Sequence, residues 1–343
     1  MRLRFHSDVC RLRAVAGIDP ADETVLGGSL IGCPTIAEPR PRWPRQTLNA
    51  PLLGHDADFV EEHWLTDGEC LSGEFEGIFY RRSSDVLYGV IEIDERTFPD
   101  SAAGTALQRA TAEAYGRIFR LLATQGLPQL WRVWNYLADI NRETGGLERY
   151  RQFNVGRYDA FLSFAPGAAD DVPAACAIGL QHGPLSIAFI AGRTPARPIE
   201  NPRQVSAYRY PVEYGPRSPT FSRAVLVTLP EQESLFISGT ASIVGYRTVH
   251  AGDVEAQCRE ALANVEALLD ESGHLCRSTA FTLSELSYRV YVRRAVDYPA
   301  VRSILMERLG ETAEAVFIEA DICRPDLLVE IEAMASHPLE DCR

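Results

Sequence analysis

Residues 192–202 read Gly-Arg-Thr-Pro-Ala-Arg-Pro-Ile-Glu-Asn-Pro, three prolines in eleven residues. Proline fixes φ and removes a backbone donor, so neither a helix nor a central strand can run through such a segment. The segment is expected to be irregular and to divide the chain into two units, 1–195 and 203–343. On both sides the pattern has one order: hairpin, helix, strands. In the first unit, residues 75–80 and Val86–Ile93 flank the turn Ser83-Ser84-Asp85, as in a β-hairpin. Pro99 and Asp100 open a helix whose Leu107, Ala110, Ala114, Ile118 and Leu122 share one face, and Gly126 closes it. Strands are expected near 159–164, 175–180 and 185–190. Residues 1 to about 60, with Pro39, Pro41 and Pro44, read as irregular cover, and Gly27-Gly28 as a turn.

In the second unit, Ala224–Leu229 and 235–238 read as strands, and Asp253 caps a helix ending at Gly273. A strand at 286–293 and a helix at 299–309, begun by Pro299, lead to closing strands at 316–322 and 327–334. The class is α+β: two units, each a mixed sheet with helices packed on one face, related by a duplication that leaves no residue-level repeat.

The net charge of −13 and pI near 5.1 argue against nucleic acid or an anionic membrane as partner. All 34 basic residues are arginines. Lysine Schiff bases, lysine general bases and P-loop lysines are therefore excluded, and guanidinium forks remain to bind carboxylate or phosphate. Eight cysteines, at 10, 33, 70, 176, 258, 276, 323 and 342, show no metal-ligand spacing, nor do the histidines. They read as reduced thiols. The N-terminus has no apolar signal core and the chain no 18-residue apolar run, so a cytoplasmic protein is expected. No phosphate loop or dinucleotide fingerprint is present, and no metal or cofactor is implied.

The closing strand carries the chemistry. In Val329-Glu330-Ile331-Glu332-Ala333 both carboxylates project from one face and the apolar residues from the other. A carboxyl held against an apolar surface keeps its proton toward neutral pH, as a general acid must.

Residues 210–335 resemble the RidA/YjgF-type fold in Tyr214-Gly-Pro-Arg217-Ser-Pro219, Phe236-Ile-Ser-Gly239, Gly252-Asp253 before a helix with Gln257 and Asn264, and the closing Glu330 motif. RidA-type deaminases carry a carboxylate-binding arginine on the penultimate strand. That place falls on Ala315 here, which counts against imine deamination. Nearly the whole chain resembles the chorismatases, through Trp134-Asn-Tyr136, Gly146-Leu-Glu-Arg-Tyr150-Arg-Gln-Phe-Asn154-Val-Gly-Arg157, Ala207-Tyr-Arg-Tyr210 and Ser238-Gly-Thr-Ala-Ser-Ile-Val-Gly245.

This second resemblance implies a small dianionic substrate, chorismate, split at its enolpyruvyl ether. By motif Glu330 is the proton donor, with Glu332 the competing candidate. Arg157, following an Asn154-Val-Gly turn, and Arg217 are first choices for the substrate carboxylates, with Arg289 next. Tyr150, Tyr208 and Tyr214 would wall the ring. Gly239 and Cys323 imply the branch that forms 3-hydroxybenzoate, glycine making room for the ring and the thiol excluding water. The alternatives are the hydrolytic branch giving a dihydroxycyclohexadiene carboxylate, a RidA-type imine deaminase, and a non-enzymatic ligand-binding module. A monomer or small homo-oligomer is expected.

Overall fold

The computed structural model describes residues 2–10, 22–33, 41–54, 59–101, 104–164 and 172–339. Pro39 lies outside them. Two six-stranded mixed sheets dominate. The first runs, in spatial order, Leu71–Phe75, Ile78–Arg82, Val86–Ile93, Leu185–Gly192, Gln129–Ala138, Ala174–Leu180. The second runs Arg197–Ile199, Ala224–Leu229, Gln232–Ala241, Val329–Pro338, Ser287–Val292, Ala315–Glu319. Numbered along the chain within each sheet, both have the order 1-2-3-6-4-5, and only the 4-5 pair is parallel. Helices follow the third and fourth strands of each: α1 (Ala106–Gln125) and α2 (Arg149–Phe164), then α3 (Val254–Gly273) and α4 (Tyr298–Leu309). The duplication suspected from element order is thus a duplication of topology, in an α+β fold.

Each helix pair covers one face of its own sheet. Leu107, Ile118 and Leu122 of α1 and Phe153 and Phe161 of α2 pack on Ile78, Ile91, Val133 and Ile187. Leu262, Val265, Val301 and Leu305 pack on Leu226, Ile237, Val290 and Ile331. The other sheet faces share a core containing Tyr88, Trp134, Phe236 and Tyr291. Thr105 caps α1 and Gly126 ends it at φ +65, the left-handed conformation glycine tolerates. Pro99 lies farther upstream than expected, while the Asp100 carboxylate accepts from the Ala106 N–H at 2.6 Å. Asp253 caps α3 as anticipated.

Four expectations are corrected. Residues 1 to about 60 are not merely irregular cover. Leu3–Cys10, Phe59–Thr66, Val25–Gly32 and Arg45–Asn49 form a four-stranded sheet packed into the shared core. Gly27 and Gly28 lie within a buried strand rather than a turn, and a Cβ on Gly28 would stand 2.0 Å from the Glu62 carbonyl oxygen. Residues 159–164 end helix α2 instead of forming a strand. The buried side of α2 mixes Gln152, Asn154 and Arg157 with Phe153 and Phe161, which hides the helical period. Gly156 lets α1 approach, since a Cβ there would meet the Gln108 carbonyl oxygen at 2.2 Å. Finally, Arg197–Ile199 is a short strand despite Pro198, because it lies at the sheet edge where a missing donor costs no ladder bond.

Candidate active site

A cavity of about 360 Å³ opens where strand Ala174–Leu180 of the first unit meets strands Gln232–Ala241 and Val329–Pro338 of the second. The two units touch here through the isolated bridges Ala174–Ser222 and Gly179–Asp321.

Along the closing strand, Val329, Ile331 and Ala333 face α3 and α4, which turns Glu330 and Glu332 toward the space between the sheets. Glu330 is 4% exposed and lines the cavity. Its strand neighbours are Ala241 on one side and Tyr291 on the other. A bulge between Ile237 and Thr240 brings Gly239 against the carboxyl, where a Cβ would lie 1.8 Å from Oε1. Burial first, and then the charge of Glu332, push the Glu330 pKa up to about 8; Arg132, Arg293 and Arg223 oppose the rise. At neutral pH this side chain is a carboxylic acid facing a cavity.

Glu332, the competing candidate, does not line the cavity. It pairs with Arg132, lies 3.4 Å from Arg289 and accepts the Tyr291 hydroxyl at 3.0 Å. The two carboxyls therefore differ in setting: Glu332 is enclosed in an ionic cluster, and Glu330 faces the cavity. Cys323 Sγ lies 4.0 Å from Glu330 Oε2, and burial followed by the Glu330 charge pushes its pKa up to about 12. It is a neutral thiol at the cavity wall. Cys176, whose Cβ would touch a side chain at position 239 at 3.3 Å, lies on the opposite side.

Arg157 and Arg223 both lie against Phe221 at the cavity wall, with guanidinium carbons 5.8 and 5.3 Å from its ring centre. Arg157 is buried on α2 and donates from Nη2 to Asn154 Oδ1 at 3.0 Å. Arg223 donates from Nη2 to the Val205 carbonyl at 2.9 Å and the Tyr210 hydroxyl at 2.8 Å. The Nε atoms of both are buried without a protein acceptor. Both side chains line the cavity and bring guanidinium charge to its wall, a setting suited to anionic oxygen. Arg324 lies 4.4 Å over the Tyr214 ring at the same cavity. Among the described residues, no group of three His, Cys, Asp or Glu could hold a metal ion, and no helix is long and apolar enough to cross a membrane.

The comparisons agree with this architecture. Residues 62–191 match the family model of FkbO/Hyg5-like chorismatases, N-terminal part. Over 337 residues the chain is 37% identical to a 3-hydroxybenzoate synthase of Streptomyces hygroscopicus, covering 92% of this chain and 93% of that protein. The chain belongs to the chorismatase family. It is also 38% identical to a chorismatase of Streptomyces rapamycinicus, over 95% of this chain and 97% of the other. A chorismatase crystal structure superposes with a TM-score of 0.84 at 34% identity, over 97% of this chain and 98% of that one.

In this chorismatase Glu330, Cys323, Gly239, Arg157, Tyr150 and Tyr214 meet at one cavity. Arg157 stands on a helix and not after a turn. Three expected residues lie elsewhere. Arg217 follows Gly215, whose φ of +143 turns the loop outward; it is half exposed, 3.7 Å from Asp159 and 4.9 Å over Tyr158. Arg289 sits opposite Glu332, two pairs along the ladder from Glu330, and is held by Glu62, Ser29 and Tyr136. Tyr208 packs on the core of the first unit, with Arg209 5.6 Å over its ring. The sequence reading missed Arg223 and Arg324. Their only signals are position, one just before a strand and one just after Cys323, and 34 arginines drown that signal.

Proposed function

We propose that this chorismatase splits chorismate into pyruvate and 3-hydroxybenzoate, with Glu330 as the acid. The observation that carries the reading is a buried carboxyl, its pKa raised to about 8, on the wall of a cavity that Arg157 and Arg223 also line. Chorismate has two carboxylates, and Arg157 and Arg223 supply charge-assisted donors for them. Glu330 transfers its proton to the enol-ether methylene, making a methyl group and an oxocarbenium ion at the ether carbon. This is the step for which an acid with a raised pKa is suited.

Two outcomes then compete. In the hydrolytic branch, water adds to the oxocarbenium carbon, and the hemiketal collapses to pyruvate and a dihydroxycyclohexadiene carboxylate. In the aromatising branch, the neighbouring ring hydroxyl displaces the activated carbon–oxygen bond. The hydroxyl loses its proton, the ether oxygen leaves within pyruvate, and the ring oxygen now bridges the two carbons as an arene oxide. Its bond to the carbon that first bore the hydroxyl then breaks, the carbon that keeps the oxygen loses its hydrogen as a proton, and the oxygen takes up a proton, giving 3-hydroxybenzoate with no net water. Gly239 and the neutral Cys323 thiol favour the second branch, the one letting the Glu330 carboxyl lie against the strand backbone and the other occupying space beside the acid that water would need. A RidA-type deaminase is disfavoured, since Ala315 begins an edge strand and does not line the cavity.

Incubation with chorismate, with pyruvate assayed enzymatically and the ring product by chromatography, tests the reading. Equimolar pyruvate and 3-hydroxybenzoate are expected. Turnover by Glu330→Gln should fall about 10²-fold or more. Ammonia from an imino acid without pyruvate from chorismate would overturn the proposal.

A further inference from the structure

The largest buried ionic cluster lies behind the cavity wall, and the reaction as described does not use it. Glu332 pairs with Arg132 of the first unit and with Arg289 of its neighbouring strand. Arg289 pairs with Glu62 of the N-terminal sheet and donates to Ser29 Oγ at 2.8 Å, and Ser29 in turn donates to Glu62 at 2.6 Å. Tyr136 and Tyr291 share a hydrogen bond of 2.6 Å and contact Arg289 and Glu332. The four charged side chains are each no more than 4% exposed. Two cations and two anions cancel, so the cluster can persist out of water. Glu330 stands two residues from Glu332 on the same strand face.

We propose that Glu332 is a positioning residue for the reaction: fixed as a carboxylate by Arg132 and by the Arg289–Glu62 pair, it repels charge on Glu330 and keeps that side chain in its acid form. The N-terminal sheet takes part without touching substrate, because Glu62 pairs with Arg289, which in turn pairs with Glu332 and helps to fix its place. Charged and titratable groups approach the two carboxyls from each packed element. Arg132, Tyr136 and Cys176 come from the first sheet, Arg289, Tyr291 and Arg293 from the neighbouring strand, Glu62 and Ser29 from the N-terminal sheet, and Arg223, Cys323 and Tyr150 from the cavity. Glu148 and Asp326 also line the cavity and Asp321 pairs with Arg293, but it is Glu332 that lies on the same strand face as Glu330.

The inference rests on the proposed function, and the test separates the two. The alkaline fall of kcat for pyruvate release is followed in wild type, Glu332→Gln, Glu332→Asp and Glu62→Gln, with urea unfolding as a control. Glu332→Gln should move the fall about one pH unit or more toward acid, with KM nearly unchanged, because a like charge has been removed. Glu332→Asp keeps the charge and should restore the wild-type position. Glu62→Gln should shift the fall in the same direction, and it decides the question if Glu332→Gln does not fold. A uniform loss of kcat with the fall unmoved would reduce Glu332 to packing and overturn the inference. If wild type releases no pyruvate, the proposed function fails. Infrared titration of the Glu330 carboxyl band (the one absent in Glu330→Gln) then still decides, and an unmoved midpoint in Glu332→Gln overturns the inference.

Discussion

Replacing Gly239 by alanine puts the arrangement around the acid under the most localised strain. The new Cβ would lie 1.8 Å from Glu330 Oε1, 2.8 Å from its Cδ and 3.3 Å from the Cys176 Cβ. Cys176 belongs to a packed strand, whereas the carboxyl is the end of a rotatable side chain, so the carboxyl yields. Ordinary contact begins near 3.4 Å, so Oε1 must retreat by about 1.6 Å, and a misplacement of that size costs about 10²-fold in rate. The overpacking itself should cost about 1–3 kcal/mol of stability, measurable by urea unfolding. KM should change little, because Arg157 and Arg223, the proposed carboxylate donors, are not displaced by the new methyl group. Pyruvate release coupled to NADH oxidation by lactate dehydrogenase gives kcat and KM. A folded Gly239→Ala protein with kcat within about threefold of wild type would refute the placement of Glu330 in the reaction.

Other substitutions read other parts of the account. Glu330 titrates near 4.5 when unfolded and near 8 when folded, so folding retains a proton that the unfolded chain releases between those values. Stability should fall as pH rises through that window, by a few kcal/mol (about 1.4 per unit) in total, and level off above it. Glu330→Gln removes this slope and should be more stable than wild type at pH 8; parallel stability profiles for the two proteins would contradict the burial argument. Arg157→Gln or Arg223→Gln should each raise KM about 10- to 100-fold with a smaller effect on kcat, as loss of a charge-assisted donor predicts. An unchanged KM removes that arginine from the binding site. Cys323→Ala should shift product from 3-hydroxybenzoate toward the dihydroxy acid, and an unchanged ratio ends the branch argument.

The alternation around Glu330 was legible because a strand's period of two leaves no choice of face once Val329, Ile331 and Ala333 are buried together. The α+β class followed from the caps and apolar faces of α1 and α3, which are locally determined. Helix α2 was not legible, because its buried side carries polar groups, Arg157 at the cavity and Gln152 bonded to Thr105, Thr144 and Leu147, which break the apolar pattern that marks a helix. The N-terminal sheet was obscured by glycines needed for close backbone approach rather than for turning. Among the arginines, side-chain direction decides the role. Arg217 and Arg289 sit in or near motif residues yet face solvent or a buried carboxylate pair, while Arg223 carries no motif and reaches the cavity.

The central claim is that Glu330 acts from its protonated form, and the pH dependence of kcat in the wild-type protein tests it most directly. The account predicts a plateau at neutral pH and a fall of about tenfold per unit above pH 8, the midpoint set by the acid in the substrate complex. A kcat that rises through pH 4–5 and stays level past pH 9 would mean that the working carboxyl is ionised, and would contradict it.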